Sequence, residues 1–136
     1  RILAPILLMV FVFPALALSE EVTFDDLVER EGIYYKKFTD VPFTGKTTGQ
    51  KQGTFKNGKK EGPWVTYYDN GQLEPKGNYK NGKWDGPWIG YRRSGRLYWK
   101  GDYKNELKEG PWVFYHKDGT VNEHPSGNYK NGVKVD

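Results

Sequence analysis

The tripeptide Gly-Pro-Trp occurs three times in this chain at a constant interval of 24 residues. A constant interval of this length indicates a repeat array, in which each repeat buries its apolar surface against its neighbours. A chain of this kind is expected to bind partners along an extended surface. The three copies are Gly62, Pro63, Trp64; Gly86, Pro87, Trp88; and Gly110, Pro111, Trp112.

The repeat extends beyond the tripeptide in both directions. Gly53, Gly77 and Gly101 open equivalent stretches at the same interval, and Gly127 opens a fourth one after a two-residue insertion around His124-Pro125. A degenerate first repeat begins at Gly32. We therefore divide the chain into a signal peptide (1–17), an N-terminal capping segment (18–31) and a repeat array (32–136). The repeats of the array are 32–52, 53–76, 77–100 and 101–126, followed by a half repeat at 127–136.

The N-terminus has the pattern of a secretory signal. Arg1 precedes an apolar run that ends in Ala15-Leu16-Ala17, which predicts cleavage after Ala17 and export to the periplasm or the medium. The alternative is an uncleaved membrane anchor, although the run is short for a span of about 20 residues. The sequence contains no Cys, so we expect the exported chain to be stabilised by strand pairing and aromatic packing, without disulfides.

Each repeat predicts a β-hairpin. Asn81-Gly82 supplies two residues that tolerate positive φ, and the aromatic and branched stretch 87–91 follows as the returning strand. Consecutive hairpins predict an all-β fold, an elongated single-sheet antiparallel meander that grows by two strands in about 24 residues. The recurring glycines leave gaps that cross-strand rings can fill, so we interpret the repeated Trp residues as structural, with a row of stacking platforms as the alternative.

No catalytic or metal-binding constellation is predicted. His116 and His124 are isolated, and the recurring acids Glu61, Asp85 and Glu109 would lie about 10 Å apart, too far for paired acid–base chemistry. We expect these acids to face Lys56, Lys80 and Lys104 across their own hairpins as exposed ion pairs. The chain is therefore predicted to be no enzyme and to carry no cofactor or metal.

Charge also restricts the class of partner. The formal net charge is +4, and the 21 basic residues are spread through the repeats. Nucleic-acid binders usually have a clustered basic face, so a nucleic-acid partner is not predicted.

Residues that do not repeat are the better indicators of a specific partner. Such residues gather in the second full repeat, and Arg and Trp are enriched in interface cores. The alternative is a solvated basic loop. The candidate partner-binding residues are Trp84, Arg92, Arg93, Arg96, Tyr98 and Trp99.

The repeat unit G-x-[FY]-K-N-G-x-x-[ED]-G-P-W-[VI]-x-Y-x-x-x-G-x-L resembles the MORN (membrane occupation and recognition nexus) repeat in its bacterial variant class. The resemblance covers about 105 of the 136 residues. It implies a hairpin meander, roles in protein or lipid contact, and no enzymatic activity; many bacterial members are described as YwqK-type antitoxins. The sequence departs from the pattern at Asn105-Glu106, Trp84, Gly90 and the two-residue insertion.

Three functions are compatible with these features. We expect a non-catalytic exported protein that acts as a protein–protein interaction or scaffold module. The alternatives are binding of an envelope ligand, either anionic lipid or glycan, and an antitoxin or immunity role. The open strand edges also make edge-to-edge self-association an alternative.

Overall fold

The computed structural model describes residues 19–136, and nearly all of its regular structure is β-strand. One 3-10 turn, Phe24–Asp26, separates the first two strands. No helix within these residues is long and apolar enough to cross a membrane. The expected signal peptide, residues 1–17, lies outside the described residues. The strands are β1 Glu21–Thr23, β2 Leu27–Arg30, β3 Ile33–Lys36, β4 Gly45–Thr48, β5 Lys51–Lys56, β6 Lys59–Thr66, β7 Lys76–Lys80, β8 Lys83–Tyr91, β9 Leu97–Lys104, β10 Leu107–Phe114, β11 Gly127–Lys130 and β12 Val133–Lys134.

Ten strands form one continuous sheet in the order β1-β4-β5-β6-β7-β8-β9-β10-β11-β12. From β4 onward each strand pairs antiparallel with the next one in the sequence. β1 lies beside β4 and runs parallel to it. The all-β meander of hairpins predicted from the repeat is confirmed, and a short parallel strand is added at its N-terminal end.

Each full repeat reverses direction in a two-residue turn. Asn57 and Gly58 have φ values of 51° and 77°, and Lys56 pairs directly with Lys59 across the turn. Positive φ at both central residues is the type I′ conformation, which matches the twist of paired strands. Asn105 and Glu106 keep the same conformation, with φ values of 49° and 67°. The departure from Asn-Gly therefore leaves the hairpin intact but places a Cβ-bearing residue in a left-handed conformation.

The acidic residue before each Gly-Pro-Trp does not face a lysine of its own hairpin, so that prediction is wrong. Instead, Glu61 Oε2 accepts a hydrogen bond from the backbone N–H of Asn81, one repeat later, at 2.9 Å. The first N–H of the turn points at the preceding repeat, where it meets an ionised carboxylate, and such charge-assisted hydrogen bonds are stronger than neutral ones. These carboxylates therefore join consecutive repeats. The equivalent hydrogen bonds are Asn105 N to Asp85 Oδ2 at 3.4 Å and Asn131 N to Glu109 Oε2 at 3.1 Å.

The degenerate first repeat contributes only β4 to the long sheet. β3 pairs with β2 in a separate two-stranded sheet and meets its own repeat in a single bridge between Tyr35 and Pro42. Phe43 nevertheless takes the place of a repeat tryptophan, since it is 3% exposed and its ring centre lies 5.8 Å from that of Phe55. The second half of this repeat is three residues shorter, so it forms no complete hairpin.

The N-terminal segment and β3 together cover the end of the sheet. The rings of Phe24 and Tyr34 lie 6.4 Å and 4.9 Å from the ring of Phe55. Leu27 is 8% exposed and belongs to the same core cluster. Repeat arrays need such a cover because the outermost repeat has no neighbour on one side.

The two-residue insertion forms a turn at residues 123–125. Ser126 Oγ donates to the carbonyl of Asn122 at 2.7 Å and accepts from the backbone N–H of Phe114 at 2.9 Å. The Tyr129 hydroxyl donates to the carbonyl of Pro125 at 2.7 Å. These hydrogen bonds return the chain to β11, so the effect of the insertion remains local.

We predict that Glu106→Gly raises the free energy of unfolding by roughly 0.5–1 kcal/mol, because glycine adopts positive φ without a steric cost. The reverse change, Gly82→Glu in the equivalent turn, should lower it by about the same amount, since φ is 80° there and no bulky neighbour blocks the side chain. Urea unfolding of both variants measures the two changes. Equal stability of wild type and Glu106→Gly would contradict the assignment of strain to this turn.

Candidate functional site

Each repeat tryptophan lies on a glycine of the neighbouring strand. A Cβ atom built on Gly53, Gly77 or Gly101 would overlap the indole ring of Trp64, Trp88 or Trp112, respectively. The three tryptophans are only 3%, 2% and 1% exposed. Their indole N–H groups donate to the carbonyls of Thr54, Asn78 and Asp102 at 3.1, 2.9 and 3.0 Å. These rings are core residues, and a ligand cannot stack on them.

Tyrosine and phenylalanine rings join the tryptophans into a continuous row, which we call the aromatic ladder. Its members are Phe55, Trp64, Tyr79, Trp88, Tyr103, Trp112 and Tyr129, with neighbouring ring centres 4.9–6.5 Å apart. Most of these pairs meet edge to face, the arrangement that suits the charge distribution of aromatic rings. The face of the sheet that carries the ladder is called the aromatic face below.

A lysine covers the ladder in the first and third full repeats. The Lys60 ammonium lies 4.7 Å from the ring centre of Trp64 and 4.9 Å from that of Tyr79. Lys108 lies 5.0 Å from Trp112 in the equivalent place. Burial lowers the pKa of both lysines, and the charge of Lys51 lowers that of Lys60 further. Sequence reasoning missed these two residues, although their 48-residue separation is twice the period.

Trp84 occupies the position of these lysines in the second full repeat. Its ring stacks on Trp88 at 3.8 Å between centres, with an angle of 12° between the planes. Its Nε1–H donates to the Tyr79 hydroxyl at 2.9 Å. Trp84 is half-buried, so part of its surface remains accessible on the aromatic face.

Trp99 fills the space that Gly90 leaves empty. The two residues pair directly across β8 and β9, and a Cβ on Gly90 would overlap the Trp99 indole. The Trp99 ring also lies 5.3 Å from the ring of Trp112. Gly90 and Trp99 both differ from the residues at the equivalent positions of the other repeats, and their packing against each other explains both differences.

The arginine candidates lie in the turn between β8 and β9, on the side of the sheet where these strands end, and Gly95 closes this turn with φ 86°. Arg92 Nη2 donates to the carbonyl of Tyr115 at 2.7 Å, and its guanidinium carbon lies 4.1 Å from the ring centre of Tyr98. Arg96 Nη1 donates to the carbonyl of Lys117 at 3.0 Å. We call this group, with the exposed Arg93, the arginine edge. The guanidinium groups of Arg92 and Arg96 are held in place by the following repeat, yet Arg92 remains partly exposed and Arg96 exposed.

The six predicted partner-binding residues therefore divide into two groups. Trp84 and Trp99 pack on the aromatic face, whereas the arginines and Tyr98 form the arginine edge. A shallow cleft of about 560 Å³ at this edge is lined by Arg92, His116, Lys117 and Asp118. The Asp118 carboxylate accepts hydrogen bonds from the backbone N–H and the hydroxyl of Thr120, and these lower its pKa. Asp118 is therefore ionised, and Arg92 and Lys117 leave the cleft with a small excess of positive charge.

Two clefts of about 340 and 330 Å³ flank Lys60 on the aromatic face. The first contains Lys51 and Glu74, and the second contains Glu29 and Glu106. Neither contains an arginine, the side chain that binds carboxylates through two parallel hydrogen bonds. The arginine edge is the stronger candidate for recognition.

No family model matches this chain, and no curated protein matches it either. The resemblance to MORN repeats therefore rests on the residues of the repeat unit alone.

We predict that Gly90 and Trp99 behave as a coupled pair. Gly90→Thr alone and Trp99→Ala alone should each lower the free energy of unfolding by about 2–4 kcal/mol, the first through steric overlap and the second through an unfilled space. In the double variant the threonine side chain occupies part of the space that the indole leaves, so its loss should be well below the sum of the two. Denaturant titration of all four proteins gives the coupling energy. Additive losses would show that Trp99 does not compensate for Gly90.

We predict that the wild type loses stability relative to Tyr103→Phe at alkaline pH. Burial raises the pKa of Tyr103 above its ordinary value of 10.0, so the folded protein keeps this proton longer than the unfolded chain does. The contribution is fully present below pH 10 and is lost as the pH rises through the folded-state pKa. Urea titrations of both proteins between about pH 8 and pH 11.5 measure the difference, from which the lysine contributions cancel. A difference that stays constant with pH would contradict the prediction.

Proposed function

We propose that this chain is a non-catalytic, exported interaction module that binds an acidic surface of a protein partner through the arginine edge. The observation that carries this proposal is the fixed geometry of Arg92 and Arg96, whose guanidinium groups are anchored to the carbonyls of Tyr115 and Lys117. Anchored side chains lose little entropy on binding, which favours affinity.

The chemistry of the edge favours a protein carboxylate over a lipid surface. Guanidinium groups bind carboxylates through two parallel hydrogen bonds, and Tyr and Arg are enriched among the residues that dominate interface energies. Tyr98 is 43% exposed beside Arg92, and Arg93 lies 5.8 Å from the ring of Tyr68. The resemblance to MORN repeats also supports an interaction role. Lipid or glycan binding remains the second class to be tested.

We predict that Arg93→Ala combined with Arg96→Ala weakens binding of the partner at least about tenfold, because both side chains are exposed at the edge. The partner is first isolated by affinity capture from envelope extract at low and high salt, and then purified. Calorimetry with the purified partner gives the affinities. The matched control, Lys80→Ala combined with Lys104→Ala, removes the same charge from the hairpin turns and should bind normally.

The same three proteins separate the alternatives. Binding to anionic vesicles that falls steeply with salt and falls equally in both double variants would replace the protein-partner proposal with a lipid one. Equal protein affinity of the wild type and the arginine variant would remove the arginine edge from the interface.

A further inference from the structure

Phe38 is the most exposed apolar side chain of the described residues. It is 103% exposed, and Val41, three residues later, is 75% exposed. The backbone of Phe38 is in the left-handed region, with φ 67°. A bulky residue in this conformation stores strain, and such strain concentrates at functional positions.

Hydrogen bonds fix the loop that carries Phe38. The backbone N–H of Lys37 donates to the carbonyl of Asp26 at 2.9 Å, and the N–H of Thr39 donates to the carbonyl of Lys36 at 3.1 Å. Arg30 Nη2 donates to the carbonyl of Thr39 at 2.8 Å. The backbone at Phe38 is therefore fixed, and its side chain projects into solvent. We call Phe38 and Val41 the apolar knob.

Charges around the knob are balanced. Arg30 Nη2 lies 3.4 Å from Asp40 Oδ1, and Lys36 forms an ion pair with Glu20. Lys37 is offset by the neighbouring Asp26. Attraction to anionic lipids needs clusters of several unpaired basic residues, so the knob is better suited to an apolar pocket of a protein.

The same molecule offers such a pocket on the face opposite the aromatic ladder. Pro63, Val65, Pro87 and Ile89 surround a shallow space of about 450 Å³ over β7, which we call the apolar trough. The space is large enough for an aromatic ring and a branched side chain together. Lys76 lines the trough and pairs directly with Ile89 across the strands. The Asp40 side chain is 102% exposed beside the knob; its Oδ1 faces Arg30, and its Oδ2 is left for the complementary charge of Lys76.

We propose that two molecules of this chain associate by insertion of the apolar knob of one into the apolar trough of the other. Asp40 of the first molecule then faces Lys76 of the second. The knob and the trough are different surfaces, so the contact is heterologous and each bound molecule still offers one free knob or trough. Association therefore extends into short linear oligomers at rising concentration. The contact involves neither Arg93 nor Arg96, so it is independent of the proposed partner site.

Sedimentation equilibrium of the purified protein, with its N-terminus defined by mass spectrometry, tests the proposal. A single ring and its neighbours bury less than about 1,200 Å², so the mean mass should rise between about 10 μM and 1 mM, the range of weak contacts. Phe38→Asn removes the ring and retains a residue that tolerates positive φ, so the fold should be preserved while association weakens at least about tenfold. Val133→Asn removes another exposed apolar side chain and should leave association unchanged.

A trough variant completes the test. Ile89→Glu places a carboxylate opposite Lys76 and against the incoming Asp40, so this variant alone should remain monomeric. Mixing Phe38→Asn with Ile89→Glu should restore a complex of two molecules and no larger one, since one supplies the trough and the other the knob. A wild type that stays monomeric to about 1 mM overturns the proposal. Association that Phe38→Asn leaves unchanged, or a mixture that stays monomeric, also overturns it.

Discussion

The contact on which each repeat depends is a tryptophan ring lying on a glycine of the neighbouring strand. The glycine lets the indole approach the backbone, and the indole N–H reaches the carbonyl that follows that glycine, as Trp88 does with Gly77 and Asn78. A thin sheet has no second layer to cover its polar backbone. The rings supply that layer, and any side chain on the glycine would displace them. The 24-residue period is thus the interval at which this contact recurs.

Sequence reasoning reached those parts of the fold that depend on contacts within one repeat. Asn-Gly predicts its turn because only a few residue types accept positive φ at both positions, and the glycines predict the rings because each gap needs filling. The strand pairing between repeats was predicted, but the hydrogen bonds between their turns were not. The hydrogen bond from Asn81 to Glu61 spans 20 residues and exists only when two turns stack at the correct distance. The parallel pairing of β1 with β4 depends likewise on where the chain returns, which no local pattern encodes.

In the candidate site, too, the sequence identified the unusual residues but not the contacts between them. Grouping Trp84 and Trp99 with the arginines was reasonable on the sequence, because all of them depart from the repeat. The structure separates them, since Trp84 stands where a lysine covers the ladder in neighbouring repeats and Trp99 compensates for Gly90. Departure from a repeat therefore has two causes. A residue that departs together with the residue it contacts is explained by packing, whereas a residue that departs alone at the surface needs another reason.

By this criterion, the residues that serve recognition are those whose exposure the fold does not require, and the repeated tryptophans are not among them. The arginine edge meets it, since Arg93 and Arg96 are exposed and the equivalent turn in the preceding repeat forms with Asp69 and Gln72 in their place. Phe38 meets it more strongly, because its conformation costs energy and its ring contributes nothing to the core. A repeat protein uses its repeated residues to hold its shape. The residues that bind partners are then expected at the few positions where the fold would tolerate a smaller or more polar residue.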